Sequence, residues 1–270
     1  MAKGQEVAGK VVALVQQIRK KMPRIGTRKL YHMLQGSLRE LGVGRDRLFS
    51  ILKANYLYVK PRRSYHITTN SHHRFRKHKN LIAGTIPARP EQIWVSDITY
   101  IGNRNNHTYL ALVTDAYSKK IVGYDLSNSL NTDGALRALK MAIRQRIYKD
   151  EPLIHHSDRG IQYCSNEYQN ILNKSKLLCS MTESYDPYAN AVAERVNGIL
   201  KDEFSLEHYK VNTEIMKRLV KDSIGIYNTE RPHYSCYMNT PEHMHLQRKI
   251  KIRTYKTKRS FKVNLETPKK

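Results

Sequence analysis

The chain has 270 residues, and its 48 lysines and arginines against 23 aspartates and glutamates give a formal charge of +25 at pH 7. A charge of this size predicts a nucleic-acid partner, with an anionic membrane surface as the weaker alternative. The sequence has no run of about 18 apolar residues and no apolar stretch near its start, which argues against a membrane span and a signal peptide. Its three cysteines are widely spaced, so we expect free thiols in a reducing, cytoplasmic compartment and no zinc site.

Residues 1–58 are predicted to form a small all-α domain. Apolar residues at helical spacing indicate a first helix from about Gln5 to Lys20. Thr27 is a good N-cap for a second helix, a turn is expected over 36–44, and a third helix is expected from about Arg45 to Ala54. Three short helices with a basic last one are typical of a helix-turn-helix unit that reads the major groove of DNA. A plain three-helix bundle with solvated charges remains the alternative.

Basic residues in and after this domain are candidate DNA contacts. Arg45 and Arg47 face outward on the third predicted helix. Residues 59–90 lose all periodicity and predict a linker that follows phosphates, although a solvated connector would have the same composition. The basic linker residues expected to contact DNA are Arg62, Arg63, Arg74, Arg76 and Lys77.

A strand-rich block begins near residue 91. Three strands with short connections predict an antiparallel meander, and a helix, a strand, a helix, a strand and two helices follow. The predicted strands are about Ile93–Ile101, Thr108–Asp115, Ile121–Leu126, Leu153–His156 and Leu177–Met181. The predicted helices run from Asn131 to about Ile147, onward from Ser165, from about Ala189 to Phe204, and from Thr213 to Tyr227. This order indicates an α/β fold with a mixed five-stranded sheet and helices on its faces.

Three carboxylates lie at positions that suggest metal binding. Asp97 lies within an apolar strand, where a charge is costly unless it is paired or bound to metal. Asp158 ends a short strand, and Glu194 follows on a helix after thirty-five intervening residues. Carboxylate oxygens are the ligands that magnesium and manganese prefer, and two such ions can activate a nucleophile and stabilise a leaving oxygen in phosphoryl transfer.

The residues around these carboxylates have competing interpretations. Asn197 and Lys201 lie three and seven residues after Glu194 on one helix face, so they are candidate DNA contacts beside the site, although most helix lysines are simply solvated. Asp115 is expected to cap a turn at Ser118 rather than to join the site. His155 and His156 are expected to be structural rather than metal ligands.

The segments WVSDITYI, HHSDRGIQY, ANAVAERVNGILKDE and YNTERPH together resemble the integrase core of DDE transposases. More closely, they resemble the second-reading-frame product of bacterial insertion sequences with two overlapping frames, over about Arg24 to Pro241. The resemblance implies a ribonuclease-H-like catalytic core, here residues 91–235, that cleaves and joins DNA strands. It implies that Asp97, Asp158 and Glu194 are the catalytic residues and bind two magnesium or manganese ions.

The same resemblance implies further partners. It predicts binding to insertion-sequence ends and target DNA, a homo-oligomer on DNA in the nucleoid, and an upstream-frame partner or fusion. Arg231 and His233 of YNTERPH are expected either to contact DNA or to support the core. Independently of the resemblance, the chain is expected to end in a basic tail, 236–270. Basic and apolar residues alternate from Lys249 onward, which predicts a strand or an extended arm on DNA, with a disordered tail as the alternative. A nuclease of the same fold and a non-catalytic DNA-binding regulator are the rival functions.

Overall fold

The computed structural model describes residues 2–60, 78–103, 106–182 and 191–253, and it begins with a group of helices, here named the helical domain. These are α1 (Ala2–Lys21), α2 (Thr27–Met33), α3 (Gln35–Glu40) and α4 (Arg45–Ala54). The sequence correctly predicts α1, α2 and α4. The predicted turn over 36–44 is wrong in its first half, because α3 occupies it and buries Leu38.

The helical domain packs directly on the rest of the chain. Val15, Leu30 and Leu48 are fully buried. They belong to one apolar cluster that continues into Val196 and Leu200, far along the sequence. Each fully buried side chain of this size contributes about 1.5–3 kcal/mol. The helical domain and the sheet-containing core are therefore joined by a shared apolar core.

The described part of the core contains a mixed sheet of five strands in the order β3-β2-β1-β4-β5. The strands are β1 (Ile93–Asn103), β2 (Asn106–Asp115), β3 (Ile121–Ser127), β4 (Ile154–Ser157) and β5 (Leu178–Met181). Strands β1, β2 and β3 pair antiparallel, whereas β1, β4 and β5 pair parallel. The predicted meander and mixed five-stranded sheet are confirmed.

Helices cover both faces of the sheet. They are α5 (Thr132–Arg144), α6 (Ile161–Cys164), α7 (Asn166–Lys174), α8 (Ala191–Asp202), α9 (Thr213–Thr229) and α10 (Pro241–His245). Trp94 and Val113 share an apolar cluster with residues of α5 and α7, whereas Val95 packs with Ala193 of α8. Successive strand residues point to opposite faces, so α5 and α7 lie on one face and α8 on the other.

Helix α5 lies very close to β3 at Gly123. A Cβ atom at this position would stand 2.1 Å from the carbonyl oxygen of Ala138. No real side chain tolerates that approach, so the glycine allows the helix to touch the strand backbone. Among the described residues, no helix combines the length and the apolar character needed to cross a bilayer.

The chain returns to the core after α9. Cys236 and Met244 are fully buried beside Tyr117, and the Tyr117 hydroxyl donates a 2.5 Å hydrogen bond to the carbonyl of Ile250. The first part of the predicted basic tail is therefore packed on the core. The part beyond residue 253 lies outside the described residues.

Candidate active site

The sheet brings Asp97 and Asp158 to the same level on neighbouring strands. In the parallel pairing of β1 and β4, Ser96 is opposite Ser157, and each aspartate is the next residue. The Asp158 carboxylate accepts a 3.0 Å hydrogen bond from the Gly160 amide. Two acidic side chains are thus placed side by side by backbone register alone.

Glu194 reaches the same region from the first turn of α8. This helix is tied to β1 by Asn197, whose Nδ2 donates a 2.7 Å hydrogen bond to Oδ2 of Asp97. Because residues three apart on a helix are neighbours, Asn197 and Glu194 share one face. The structure therefore places Asp158 and Glu194 near enough to Asp97 for both charges to raise its pKa.

The pKa of Asp97 is shifted by its surroundings. Loss of hydration and the negative charge of Asp158 raise the Asp97 pKa to about 7, and Glu194 adds to the effect. Hydrogen bonds from the Ile98 amide, at 2.9 Å, and from Asn197 oppose the rise. The Glu194 pKa is also raised, because its carboxylate loses part of its hydration. Like charges this close oppose one another unless a cation is added.

The donor chemistry fits a divalent cation, although the carboxylates do not close around one. Within the described ranges, no three His, Cys, Asp or Glu side chains are close enough to hold an ion as they stand. The available ligands are nevertheless hard oxygens. The buried Oδ1 of Asn197 has no hydrogen-bond partner among the described residues, which leaves a further oxygen beside Asp97.

The two histidines of β4 are structural, as the sequence indicates. His155 is fully buried, and its Nε2 lies 2.8 Å from the Ser96 hydroxyl and 2.9 Å from the Tyr168 hydroxyl. Burial and the neighbouring His156 lower its pKa to about 3, so the ring is neutral. The Nδ1 atom of His156 lies 2.8 Å from the Ser180 hydroxyl.

Asp115 also has the structural role expected of it. Its Oδ1 accepts 2.7 Å hydrogen bonds from both the amide and the hydroxyl of Ser118. Sequence reasoning missed its distant partner His245, whose Nδ1 lies 3.7 Å from Asp115 and whose Nε2 lies 3.5 Å from Glu91. Burial opposes the charged imidazole, but hydrogen bonds to these carboxylates outweigh burial and raise the His245 pKa to about 9.

Three predicted DNA contacts have other roles in the structure. Asn197 is buried and contacts Asp97. Arg231 is 1% exposed and forms two 2.8 Å hydrogen bonds to the Glu203 carboxylate. His233 is buried with its ring edge-on to Tyr227. Their burial and these contacts argue against a direct role in DNA binding, and that role stays a prediction. Arg231 and His233 pack within the core, which is the other role that the sequence suggests for them.

The remaining predicted contacts differ in position. The Lys201 side chain is 18% exposed and lies 3.3 Å from Glu207. Arg45 and Arg47 are exposed on α4, where Arg45 pairs with Asp46 at 2.9 Å. The predicted linker contacts that lie outside the described residues are Arg62, Arg63, Arg74, Arg76 and Lys77.

Comparisons with known proteins agree with this architecture. Two family models, each described as an integrase core domain, match residues 87–187 and 175–241. The 31 kDa protein of insertion element IS600 from Shigella sonnei is 39% identical over 220 residues, which cover 79% of this chain and 80% of that protein. The transposase InsF for insertion sequence IS3A from Escherichia coli is 36% identical over 154 residues.

The matches differ in extent. The matched segment of InsF covers 57% of this chain and 53% of that transposase, so the chain spans about half its length. A simian T-cell lymphotropic virus intasome structure matches 86% of this chain and 78% of its own chain, with a TM-score of 0.52 and 20% identity. That likeness shows the ribonuclease-H-like fold. The length and identity of the insertion-element match show more: the chain belongs to the family of insertion-sequence transposases that carry an integrase core domain.

Proposed function

We propose that the chain cleaves DNA at the ends of an insertion sequence and joins the exposed 3′ hydroxyl to target DNA. Asp97, Asp158 and Glu194 are the proposed catalytic residues and the proposed ligands of two magnesium or manganese ions. The observation that supports the proposal is the position of Asp158 and Glu194 near Asp97. Loss of hydration, and in addition the charges of these two carboxylates, raise the Asp97 pKa to about 7. Neither Asp97 nor Glu194 forms an ion pair with any described residue, so a cation has an evident electrostatic role there.

Each residue has a distinct part in the proposed mechanism. Asp97 and Asp158 hold ligand oxygens at a spacing fixed by β1 and β4, and Glu194 approaches from α8. Asn197 keeps Asp97 in one orientation through its hydrogen bond. Two bound divalent ions would supply activation of the attacking oxygen and stabilisation of the leaving oxygen.

The proposed reaction consists of two substitutions at phosphorus and forms no covalent intermediate with the protein. In cleavage, water attacks a phosphodiester phosphorus, and the leaving oxygen becomes the 3′ hydroxyl of the element end. In strand transfer, that hydroxyl attacks a target phosphodiester, so one bond forms as another breaks. The same carboxylates serve both steps in turn.

The proposed DNA partners are element ends and target DNA, and the proposed active form is a homo-oligomer on DNA, with or without an upstream-frame partner. Support comes from the +25 charge and from the exposed Arg45 and Arg47 of α4. Lys201 remains a proposed contact near the scissile phosphate. It would have to exchange Glu207 for phosphate as its partner.

The experiment compares Asp97→Asn and Glu194→Gln with a matched control on labelled element-end DNA. In magnesium, both variants should lose cleavage and strand transfer by more than about 100-fold, beyond the cost of removing an outer hydrogen-bond partner of a metal site. Asp125→Asn is the control, because Asp125 is a half-buried strand aspartate paired with Arg137 at 2.9 Å.

The outcomes separate the proposal from its rivals. Retained strand transfer in Asp97→Asn would refute the assigned site. Cleavage by the unaltered protein without any joining of pre-cut ends would support a nuclease. Metal-independent DNA binding without cleavage would support a regulator.

A further inference from the structure

A buried ion cluster joins the helical domain to the end of helix α8. Lys29 of α2 places its Nζ 2.7 Å from Oε1 of Glu203, the residue that follows α8. Arg231, which follows α9, donates from Nε and Nη2 to the two Glu203 oxygens at 2.8 Å. One carboxylate thus connects three segments that are distant in sequence.

The cluster is held away from solvent. The side chains of Arg231, Glu203 and Lys29 are 2%, 11% and 17% exposed. Burial alone would raise the Glu203 pKa, but the hydrogen bonds and charges of Arg231 and Lys29 outweigh it and lower the pKa to about 2. Glu203 is therefore ionised under all ordinary conditions. Charge-assisted bidentate bonds of this kind fix geometry strongly.

Further contacts hold the end of α8 against the helical domain. The amide of Arg24 donates a 2.9 Å hydrogen bond to the carbonyl of Glu203. The Arg24 side chain pairs with Asp202, the last residue of α8, at 2.8 Å. Leu30 of α2 also shares an apolar cluster with Leu200 of α8. The end of α8 is thus bound to the helical domain by charges, backbone and apolar packing together.

Helix α8 extends from this joint to the acidic site. Glu203 follows Asn197 by six residues and Glu194 by nine, which are about 9 and 14 Å along a helix. If α8 moves as one rigid body, a shift at Glu203 would change the Asn197–Asp97 hydrogen bond and the position of the Glu194 carboxylate.

We propose that Lys29, Glu203 and Arg231 are positioning residues that couple the placement of the helical domain to the assembly of the acidic site through α8. This inference rests on the proposed catalytic role of Asp97, Asp158 and Glu194. The alternative is a buried ion cluster that contributes only to overall stability. If the cluster positions α8, breaking one of its contacts loosens α8 and leaves the rest of the chain unchanged. If the cluster contributes only to overall stability, the whole chain is destabilised uniformly.

The first test is amide hydrogen exchange of the full chain without metal. Lys29→Met removes the Lys29–Glu203 ion pair and leaves the Arg231–Glu203 pair intact. Exchange of α8 amides should accelerate by about tenfold, which corresponds to about 1.4 kcal/mol, while β2 amides stay unchanged. Lys120→Met is the matched control, because Lys120 is 16% exposed and pairs with Glu242 at 2.7 Å. It should leave α8 unaffected.

Rescue separates positioning from bulk stability. Lys29→Arg keeps the positive charge and should restore slow α8 exchange. Unchanged α8 exchange in Lys29→Met would overturn the proposal. Equal acceleration in α8 and β2 would overturn it as well, because that result describes uniform destabilisation.

The second test measures DNA cleavage against magnesium concentration. Lys29→Met should raise the magnesium concentration for half-maximal cleavage by about tenfold and leave binding to element-end DNA within about twofold. Lowered cleavage with an unchanged magnesium requirement would contradict the coupling. If the unaltered protein cleaves no DNA, the proposed function fails, whereas the exchange experiment still decides whether Lys29 positions α8.

Discussion

Replacement of Asp97 by asparagine should stabilise the metal-free protein while it removes activity. The Asp97 pKa is about 7 instead of 3.8, mainly because the carboxylate is desolvated and Asp158 lies nearby. A raised pKa in the folded state means that the stability linked to protonation is present below pH 3.8 and is lost as the pH rises through about 7. Asparagine carries no charge and avoids that loss.

The hydrogen bonds of the site can be kept in this variant. Oδ1 of the new amide can still accept from the Ile98 amide. Its Nδ2 can donate to the unpartnered Oδ1 of Asn197 after that amide turns over. The substitution therefore removes a charge with little change in shape or bonding.

The expected magnitude follows from the pKa. A pKa of about 7 instead of 3.8 corresponds to about 4 kcal/mol against the ionised form. Asp97 is only half-buried, so screening by solvent reduces the expected gain to about 1–2 kcal/mol. For a chain of this size, such a gain raises Tm by about 2–8 °C.

The assay is thermal unfolding with a chelator present, from pH 4 to pH 8. The Tm of Asp97→Asn should exceed that of the unaltered protein at pH 8, and the difference should shrink towards pH 4. Asp46→Asn is the control, since Asp46 is exposed and, among the described residues, pairs only with the exposed Arg45. It removes one negative charge at a site where solvent screens the pair. A lower Tm for Asp97→Asn at pH 8, or a difference that does not vary with pH, would refute the reasoning.

Three further predictions concern stability and DNA affinity. Arg231→Met leaves Glu203 buried without its bidentate partner and should cost about 3–5 kcal/mol in urea unfolding; an unchanged midpoint would count against the burial of this pair. The pKa of His245 is raised to about 9, so its contribution to stability is fully present below pH 6.5 and is lost as the pH rises through about 9. The Tm difference between His245→Gln and the unaltered protein should follow that course, and a constant difference would contradict it. The logarithm of DNA affinity, measured by fluorescence anisotropy, should fall linearly with the logarithm of salt concentration, by about 0.9 per phosphate neutralised; a slope near zero would exclude an electrostatic interface.

Local patterns predicted most of the fold. The apolar runs of β1, β2 and β3 have the length and composition of strands, and α1, α4 and α9 have clear apolar faces. In the core, the order of strands and helices along the chain indicates a mixed sheet. Helix α3 was missed because Gly36 suggested a turn, whereas burial of Leu38 decides the conformation. Helix α10 is not predicted from the sequence, although Thr240 caps it and Pro241 follows, and these residues are a typical helix start.

The site was predicted unevenly for a related reason. Spacing along one helix placed Glu194 and Asn197 on one face, and this pattern is local. The partners of Arg231 and His245 are not local, because Glu203 is 28 positions away from Arg231 and His245 meets Asp115 across the fold. In a strongly basic chain, the sequence alone suggests that an arginine or histidine contacts DNA. The fold is needed to show that a carboxylate is its partner.

The pairing of β1 with β4 determines where the chain can change length. Because side chains alternate across a strand, one residue inserted into β4 would carry Asp158 to the opposite face of the sheet. Strand β1, by contrast, continues to Asn103, six residues beyond Asp97, about 20 Å along the strand. Changes in the length of β1 and β2 near that end leave the two aspartates aligned. Relatives and engineered variants can therefore differ in the length of these two strands, whereas β4 must keep its length between its parallel neighbours.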